Sequence, residues 1–278
     1  MSIGEWRKLA QKRLQTVSDA TALEADTLLM QALGISRSAI LSAPERALDP
    51  QQVTQLNRWL DLREDHVPLA FITGSQPFWD LDLAVDASTL VPRADTETLV
   101  ERALQRISQT APQRAADLGT GSGAIGIVLA LSRSRSQIVA VDQSAEALTV
   151  AAANALNHAA DNITFVHSDW FAQLHGELFD VIVSNPPYVE STYAGLATEL
   201  RHEPRSALVS GSDGLDDIRH IAAHAPNHLH PHGWLLLEHG DQQADAVSGI
   251  LRAAGFSRIQ CYPDLGGRPR VTEAQLIC

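Results

Sequence analysis

Between residues 1 and 73, hydrophobic residues recur every three or four positions, which is the spacing of one helix face. Three such stretches follow one another. The third begins at Asp49-Pro50, an N-cap followed by the residue best tolerated in a first helical turn. The apolar positions are Trp6, Leu9, Ala10, Leu14 and Val17, then Leu23, Leu28, Leu29 and Ala32, then Val53, Leu56, Trp59 and Leu60. The pattern predicts a small N-terminal helical domain over residues 1–73.

A different pattern follows, in which apolar and polar residues alternate over residues 79–85, as they do in a half-buried β-strand. A second short apolar run, 89–91, comes after a turn. We therefore predict a β-hairpin connector over residues 74–92. Asp95 is the expected N-cap of the helix that follows and runs to about Ile107.

From residue 114 onward, short apolar runs alternate with helical patterns, which is typical of an α/β domain with a parallel sheet. The predicted strands cover 115–118, 137–141, 163–167, 179–184 and 234–238, and the predicted helices cover 124–131, 216–229 and 242–253. A closing hairpin of residues 256–262 and 271–277 places an antiparallel strand last. We therefore predict a doubly wound α/β domain over residues 93–278.

The net charge of −12 argues against a protein whose affinity comes from nucleic-acid phosphates. Residues 1–73 contain eight basic and nine acidic residues, so the remaining 13 basic and 24 acidic residues put −11 of the charge in the later part. The two cysteines, Cys261 and Cys278, have no metal-ligand spacing. The first residues lack a signal peptide's apolar core and no stretch reaches transmembrane length, so we expect a cytoplasmic protein without membrane contact.

A glycine-rich turn, Gly119-Thr120-Gly121-Ser122-Gly123, follows the strand that ends with Asp117-Leu118. Glycines permit positive φ and close backbone approach, and the helix start presents free N–H groups to a ligand. Asp142 ends the next strand, 23 positions after Gly119, where ribose-binding carboxylates occur in such folds. The combination indicates either a dinucleotide site or an S-adenosylmethionine site.

Two further strand ends carry polar and aromatic residues. Asp169-Trp170 follows the third strand, and this pair suits an adenine, with a carboxylate acceptor and an apolar wall. Asn185-Pro186-Pro187-Tyr188 follows the fourth strand, where two prolines end the ladder because neither can donate a backbone hydrogen bond. Ligands of open α/β sheets bind at this edge, so we expect the four strand ends to form one site.

These motifs resemble those of known methyltransferases. The Asp117–Gly123 run looks like the first motif of Rossmann-like methyltransferases, and Asn-Pro-Pro-Tyr looks like the signature of enzymes that methylate a planar nitrogen. Nearly the whole chain resembles the bacterial peptide chain release factor glutamine N5-methyltransferases. This similarity includes Pro68–Gly74, Phe78-Trp79, Val91-Pro92-Arg93, Asp95-Thr96-Glu97, Glu203-Pro204-Arg205, Ala207-Leu208, Asp213-Gly214-Leu215 and Asp264–Arg268. Ala94 and His239 depart from the family pattern, outside the motif core.

The resemblance implies a Rossmann-like sheet with an antiparallel last strand, and a helical domain that contributes to substrate recognition. It implies S-adenosylmethionine as cofactor and S-adenosylhomocysteine as product. The implied substrate is the glutamine of the Gly-Gly-Gln loop of class I peptide chain release factors, with no direct contact to nucleic acid. The implied cofactor-binding residues are Asp117, Gly119, Thr120, Gly121, Ser122, Gly123, Asp142, Asp169, Trp170 and Asn185. The implied catalytic residues are Asn185, Pro186 and Tyr188, and these bind substrate together with Pro187.

Two other functions remain open at the level of sequence. A nucleic-acid exocyclic-amine methyltransferase shares the tetrapeptide, but it must flip a base and hold the flanking phosphates, which the acidic second domain disfavours. A scaffold protein with a decayed site is disfavoured because the glycines, Asp142 and Asn185 are all present. His220, His224 and His228 share one helical face, and we expect no metal there because no acidic partner accompanies them.

Overall fold

The computed structural model describes residues 1–193, 195 and 197–277, so Cys278 lies outside the described residues. The chain forms two compact units. The first unit contains Met1–Gly74 together with Ala197–His202, and the second contains the rest of the described chain.

The first unit is helical: α1 covers Ile3–Leu14, α2 Thr21–Leu33, α3 Arg37–Ser42, α4 Pro50–Glu64 and α5 Leu69–Thr73. Local sequence sets the helix ends, because Ser2 and Asp49 each form a capping box and Gly34 ends α2 in the left-handed conformation. Most of the apolar positions predicted from sequence form or pack against the core of this unit, but Leu9 and Leu23 are exposed. Its largest fully buried side chain, Trp6, donates a hydrogen bond from Nε1 to Asn57 Oδ1 at 3.0 Å.

Residues 197–202 belong to this helical unit although they follow the second unit's Asn-Pro-Pro-Tyr segment in the chain. A 3-10 helix covers Thr198–His202. Arg63 is 3% exposed and donates to Glu24 at 2.8 Å and to Glu199 at 2.5 Å. A ring nitrogen of His202 lies 3.1 Å from the Asp65 carbonyl oxygen. Charge pairing therefore anchors this short segment within the helical unit.

The second unit begins with an antiparallel hairpin of β1 (Ser75–Phe78) and β2 (Leu81–Ala84). A hairpin was predicted here, but its strands were placed at the wrong residues, 79–85 and 89–91. Trp79 lies in the turn with a φ of +55°, and its backbone N–H donates to Glu97 Oε1 at 3.0 Å. Val91 is buried without a partner strand, since its N–H donates to the Glu203 carboxylate. Burial alone produced the strand-like pattern there.

Seven described strands form one sheet: β3 (Arg114–Leu118), β4 (Gln137–Asp142), β5 (Ile163–His167), β6 (Phe179–Ser184), β7 (Leu229–Glu238), β8 (Phe256–Pro263) and β9 (Pro269–Leu276). Their order is β5-β4-β3-β6-β7-β9-β8, parallel from β5 to β7. Strand β9 pairs antiparallel with both β7 and β8. The predicted α/β sheet with an antiparallel last strand is confirmed.

Helices cover both faces of the sheet: α6 (Glu97–Arg106), α7 (Ala124–Ser132), α8 (Ala145–Asn157), α9 (Asp216–His224) and α10 (Ala244–Ala253). Alternate residues of β6 enter opposite cores, with Val181 and Val183 on one face and Ile182 on the other. Asp95 is not the N-cap of α6, because a 3-10 turn, Ala94–Thr96, precedes the helix. The helix predicted over 216–229 ends at His224, since Pro226 cannot continue the hydrogen-bond ladder.

Candidate active site

The loops at the C-terminal ends of β3, β4, β5 and β6 surround a cavity of about 310 Å³. This is the edge at which ligands of open α/β sheets bind. The predicted site residues that line it are Gly119, Thr120, Gly121, Ser122, Asp142, Asp169, Trp170, Asn185 and Pro187. Asp117, Gly123, Pro186 and Tyr188 are not among the residues that line this cavity, although Pro186 and Tyr188 flank Pro187, which does.

Asp117 organises the glycine turn from behind. Its carboxylate is fully buried and accepts from Thr120 Oγ1 at 2.6 Å and from the Gly126 N–H at 2.9 Å. Burial raises the pKa of Asp117 to about 6. Its Oδ1 has no hydrogen-bond partner among the described residues. The side chain therefore ties the turn to the first turn of α7.

The glycines of the turn are needed for conformation and for space. Gly119, Gly121 and Gly123 have φ values of +74°, +56° and +85°, a region that L-residues with a Cβ rarely adopt. At Gly123 an added Cβ would lie 2.7 Å from Ile127 Cδ1, whereas at Gly121 it would meet nothing within 4 Å. Gly123 therefore permits close packing on α7, and Gly121 leaves open space towards the cavity.

Asp142 is held rigidly at the end of β4. Its Oδ2 accepts from the Gly121 N–H at 2.8 Å and its Oδ1 accepts from the Ser144 N–H at 2.9 Å. Each carboxylate oxygen has a second lone pair, so both can still accept a hydrogen bond from a ligand. The geometry presents a fixed acceptor to the cavity.

Trp170 and Asp169 form the wall at the end of β5. Trp170 has a φ of +46°, and Ser168 Oγ holds this backbone by donating to the Trp170 carbonyl at 3.0 Å. The indole ring closely approaches the glycine turn, because a Cβ on Gly119 would lie 3.4 Å from it. The exposed Asp169 carboxylate has no partner within the described part of the chain.

The tetrapeptide is attached firmly to the end of β6. Ser184 Oγ donates to the Leu118 carbonyl at 2.7 Å, which joins β6 to β3 beside the cavity. Asn185 Nδ2 donates to Thr96 Oγ1 at 3.2 Å, so its Oδ1 remains available as an acceptor. Tyr188 Oη donates to Glu238 Oε1 at 3.4 Å. Burial and the nearby Glu238 raise the pKa of Tyr188 above its usual range, so this hydroxyl stays protonated.

Comparison with known proteins agrees with this geometry. Two family models match the chain, the PrmC N-terminal domain over residues 5–74 and the methyltransferase small domain over residues 95–244. A release factor glutamine methyltransferase of Xylella fastidiosa (strain Temecula1) is 45% identical over 251 residues, 90% of this chain and 91% of that protein. The protein of the same name in Escherichia coli (strain K12) is 41% identical over 273 residues, 98% of each chain. The chain belongs to the release factor glutamine methyltransferase family.

Membership in the release factor glutamine methyltransferase family confirms the predicted family and the prediction of a methyltransferase. The methyltransferase small domain implies S-adenosylmethionine as the methyl donor. A solved methyltransferase from Pyrococcus furiosus has the same fold, with a TM-score of 0.54 at 15% identity over 83% of this chain and all of that chain. None of the helices in the described residues has the length and apolarity needed to cross a membrane.

Two residues beside the tetrapeptide, Thr96 and Glu238, had no predicted role in the site of this release factor glutamine methyltransferase family member. Glu238 ends β7 beside the tetrapeptide and is 1% exposed. The Thr96 side chain accepts a hydrogen bond from Asn185 Nδ2 at 3.2 Å, and the Glu238 carboxylate accepts one from the Tyr188 hydroxyl at 3.4 Å. The available signal was an ionisable residue directly after the apolar run Trp234–Leu237, at a strand end.

Residues 203–209 contribute to one side of the cavity. Val189 and Val209 form an isolated parallel bridge, which joins these residues to the end of the tetrapeptide. Glu203 accepts from the Val91 N–H at 3.0 Å and forms an ion pair with Arg93. Residues beyond it, Pro204, Ser206, Ala207 and Val209, line the cavity. The Val91–Arg93 and Glu203–Arg205 segments therefore meet through the buried Glu203 carboxylate.

The three histidines His220, His224 and His228 each contact a neighbouring ring or a backbone carbonyl group. His220 and His224 stack with ring centroids 4.3 Å apart, and His228 stacks on Phe171 at 4.6 Å. Nδ1 of His224 and of His228 each lies within hydrogen-bond distance of a backbone carbonyl. Across residues 1–193, 195 and 197–277, no group of three His, Cys, Asp or Glu side chains is arranged to hold a metal ion.

Proposed function

We propose that this protein transfers the methyl group of S-adenosylmethionine to the side-chain amide nitrogen of the glutamine in the Gly-Gly-Gln loop of class I peptide chain release factors. The names of its relatives, release factor glutamine methyltransferases, support release factor glutamine as the substrate. One observation supports this chemistry above all. Asn185 uses its N–H on Thr96, which leaves a fixed carbonyl oxygen at the cavity to accept from a planar amide.

The cavity fits S-adenosylmethionine in its donor set. When bound, this cofactor supplies an electrophilic methyl group on a sulfonium sulfur, and S-adenosylhomocysteine is the product. Asp142 would accept hydrogen bonds from the ribose hydroxyls, and Asp169 and Trp170 would hold the adenine, as an acceptor and an apolar wall. The Gly119–Gly123 turn would hold the methionine part, since the absence of a Cβ on Gly121 leaves room for a ligand.

A glutamine amide nitrogen is a poor nucleophile because its lone pair is delocalised into the carbonyl group. Asn185 Oδ1 and the Pro186 carbonyl oxygen accept its two N–H bonds and hold the nitrogen in line with the methyl group. Both acceptors are fixed in advance and bind more strongly as positive charge develops on nitrogen. Pro187 and Tyr188 provide apolar walls for the flat amide.

No general base is needed before transfer, since the methylated amide nitrogen carries a strongly acidic proton. The nitrogen lone pair forms the new bond to carbon, and the electrons of the broken sulfur–carbon bond go to sulfur. The proton then leaves the cationic amide for solvent. The helical unit serves substrate recognition in this proposal, and its match to the PrmC N-terminal domain supports that role. The cytoplasmic location remains a prediction.

The proposed role of Asn185 is tested by Asn185→Ala, with Asn157→Ala on the exposed end of α8 as a matched control. We expect Asn185→Ala to keep the fold and the affinity for S-adenosylmethionine while release factor methylation falls roughly 100-fold. Mass spectrometry of the release factor peptide measures the product, and titration calorimetry measures cofactor binding. Near wild-type turnover by Asn185→Ala would refute the role of Asn185.

The acceptor is tested separately, with the wild-type protein. A release factor whose Gly-Gly-Gln glutamine is changed to alanine should accept no methyl group, while the unchanged factor gains one. Methylation of the altered factor would place the reaction on another residue. Methyl transfer to DNA or ribosomal RNA, with none to release factors, would support a nucleic-acid amino-methyltransferase instead.

A further inference from the structure

The backbone carbonyl group of Tyr188, the last residue of the tetrapeptide, is held by two residues. Gln243 donates from Nε2 to the Tyr188 carbonyl oxygen at 3.1 Å. Gly214 packs against the same oxygen so closely that a Cβ on Gly214 would lie 2.2 Å from it. Gln243 stands at the start of α10 and Gly214 lies in the turn before α9, so both reach the loop after β6 from other elements.

The orientation of the Gln243 amide group follows from its neighbours. Its Oε1 accepts from the Gly240 N–H at 2.9 Å, which the amide nitrogen could not do. Its Nε2 therefore faces three carbonyl oxygens, that of Tyr188 and those of Asp213 and Gly214 at 3.3 and 3.4 Å. The two N–H bonds of this nitrogen are shared among three acceptors, of which Tyr188 is the nearest. Because both ends of the amide are engaged, the Gln243 side chain is fixed in one orientation.

Gly214 is required at its position for conformation and for space. Its φ is +73°, a region that L-residues with a Cβ rarely adopt. The atoms nearest to an added Cβ include the carbonyl oxygen and carbon of Tyr188, at 2.2 and 2.9 Å. These are backbone atoms, which cannot rotate away as the end of a side chain does. To reach the 3.4 Å of ordinary contact, the oxygen and the Cβ must separate by about 1 Å (3.4 − 2.2).

The two prolines explain why the tetrapeptide needs an anchor at this carbonyl group. Pro186 and Pro187 have no backbone N–H, so neither can be fixed by donating a hydrogen bond. In the proposed function the Pro186 carbonyl oxygen accepts from the substrate amide, so it must stay free for the substrate. The backbone after Pro186 is fixed instead at the Tyr188 carbonyl and at the Val189 N–H, which donates to the Leu208 carbonyl at 2.8 Å.

We propose that Gln243 and Gly214 are positioning residues for methyl transfer, which clamp the Tyr188 carbonyl group and thereby fix the Pro186 carbonyl and the Tyr188 ring beside the cavity. This inference rests on the proposed function of the tetrapeptide. Neither Gln243 nor Gly214 lines the cavity, so both act through the backbone of the tetrapeptide. Since a displacement of about 1 Å can lower turnover about 100-fold, loss of the clamp has a kinetic consequence.

The hydrogen-bonding side of the clamp is tested by Gln243→Glu in the whole chain. The carboxylate has the same shape and still accepts from the Gly240 N–H, but it cannot donate and it presents a negative charge to the Tyr188 carbonyl oxygen. We expect kcat to fall about tenfold, on the scale of one hydrogen bond replaced by a repulsive contact. The KM for release factor and the affinity for S-adenosylmethionine should be unchanged, because Gln243 lies outside the cavity.

Gln275→Glu is the matched control for this change. Gln275 lies in β9 of the same unit, its Nε2 donates to the His232 carbonyl at 2.8 Å, and it does not line the cavity. The chemical change is therefore the same, but no part of the tetrapeptide is involved. Gln275→Glu should leave kcat unchanged, and equal kcat values for Gln275→Glu and Gln243→Glu would overturn the role of Gln243.

The steric side of the clamp is tested by Gly214→Ala, with Gly176→Ala as the control for backbone strain. Both glycines have a φ of +73°, but a Cβ on Gly176 would meet nothing within 4 Å. At a temperature where circular dichroism shows each variant folded, we expect Gly214→Ala to lower kcat about 100-fold and Gly176→Ala to leave it unchanged. Equal kcat values would overturn the role of Gly214. Gln243→Glu adds no atom to the core, so it tests the clamp even where Gly214→Ala does not fold.

The two positioning residues should also be coupled. The double variant Gly214→Ala/Gln243→Glu should lose less activity than the product of the two single losses, because both changes displace one carbonyl group. Multiplicative losses would overturn the clamp as a unit with a common target.

A spectroscopic measurement examines the clamp without turnover. The chain contains three tyrosines, so labelling tyrosine with carbon-13 at the carbonyl position gives three NMR signals, and Tyr188→Phe identifies the signal of Tyr188 by its loss. Because the chemical shift of a carbonyl carbon responds to the hydrogen bond that its oxygen accepts, this signal should move in Gln243→Glu and stay in place in Gln275→Glu.

This measurement separates failure of the inference from failure of the proposed function. A Tyr188 signal that is insensitive to Gln243→Glu would overturn the clamp, whatever the activity. A signal that moves while kcat stays at the wild-type value would overturn the positioning role. Wild-type turnover by Asn185→Ala would instead refute the proposed function, and the Tyr188 signal would still report the clamp.

Discussion

Replacement of Gly123 by alanine combines two effects whose sizes follow from the structure. Gly123 has a φ of +85°, so a Cβ adds backbone strain of about 1–2 kcal/mol. That Cβ would also lie 2.7 Å from Ile127 Cδ1 and 3.2 Å from Ala151 Cβ, inside a fully buried core. Overpacking of this kind costs about 1–3 kcal/mol. We expect Gly123→Ala to lower the free energy of unfolding by roughly 2–5 kcal/mol.

Gly121→Ala is the matched control in the same turn. Its φ of +56° imposes the backbone strain, but its Cβ would meet nothing within 4 Å, so a loss of only about 1–2 kcal/mol is expected. Ile127→Val removes the clashing Cδ1 and by itself costs about 0.5–1.5 kcal/mol. In the Gly123→Ala background it should cost at least about 1 kcal/mol less, because it also relieves the clash.

Urea unfolding of the four variants measures these free energies under one set of conditions. Equal losses for Gly123→Ala and Gly121→Ala would refute the steric reasoning and leave backbone strain as the whole effect. Additive losses for Gly123→Ala and Ile127→Val would show that the clash is not with Cδ1.

Two further predictions concern the two units separately. Burial raises the pKa of Asp26, but hydrogen bonds from Arg7 and Arg37 bring this pKa below its ordinary value, so the stability from these pairs should be lost as pH falls below about 4. Asp26→Asn should reduce the fall of the thermal unfolding midpoint in this acid range. An unchanged fall in Asp26→Asn would contradict the prediction. Asp142→Ala should weaken S-adenosylmethionine binding at least tenfold by calorimetry, because the fixed acceptor is lost; unchanged affinity would exclude the ribose role.

Errors in the sequence-based elements have specific causes. The pattern predicted strands at 79–85 and 89–91, where Val85 and Val91 are buried, yet the Val91 N–H donates to the Glu203 side chain and not to a strand. Asp95 read as an N-cap because it precedes an amphipathic run, yet it pairs with Arg270 at 3.2 Å, far away in sequence. In both cases a tertiary contact replaced the local one that the pattern favours.

The sequence by itself determined the succession of strands and helices along the chain. It also determined which strand ends carry the candidate site residues. The glycine turn, Asp142, Trp170 and Asn185 could be found because each stands at or shortly after the end of a strand, and parallel strands bring their C-terminal ends to one edge. The resemblance then limited the acceptor to a protein glutamine, which the tetrapeptide alone does not specify.

Only the tertiary structure decided which residues support that site. Asp117 looked like a ligand-binding residue, but its burial directs its carboxylate to Thr120 and Gly126. Thr96 and Asn185 are 89 positions apart, and their side chains meet in a hydrogen bond of 3.2 Å because the turn before α6 lies at the end of β6. Hydrogen bonds between side chains depend on distances of about 3 Å, and sequence spacing cannot fix such distances between separate elements.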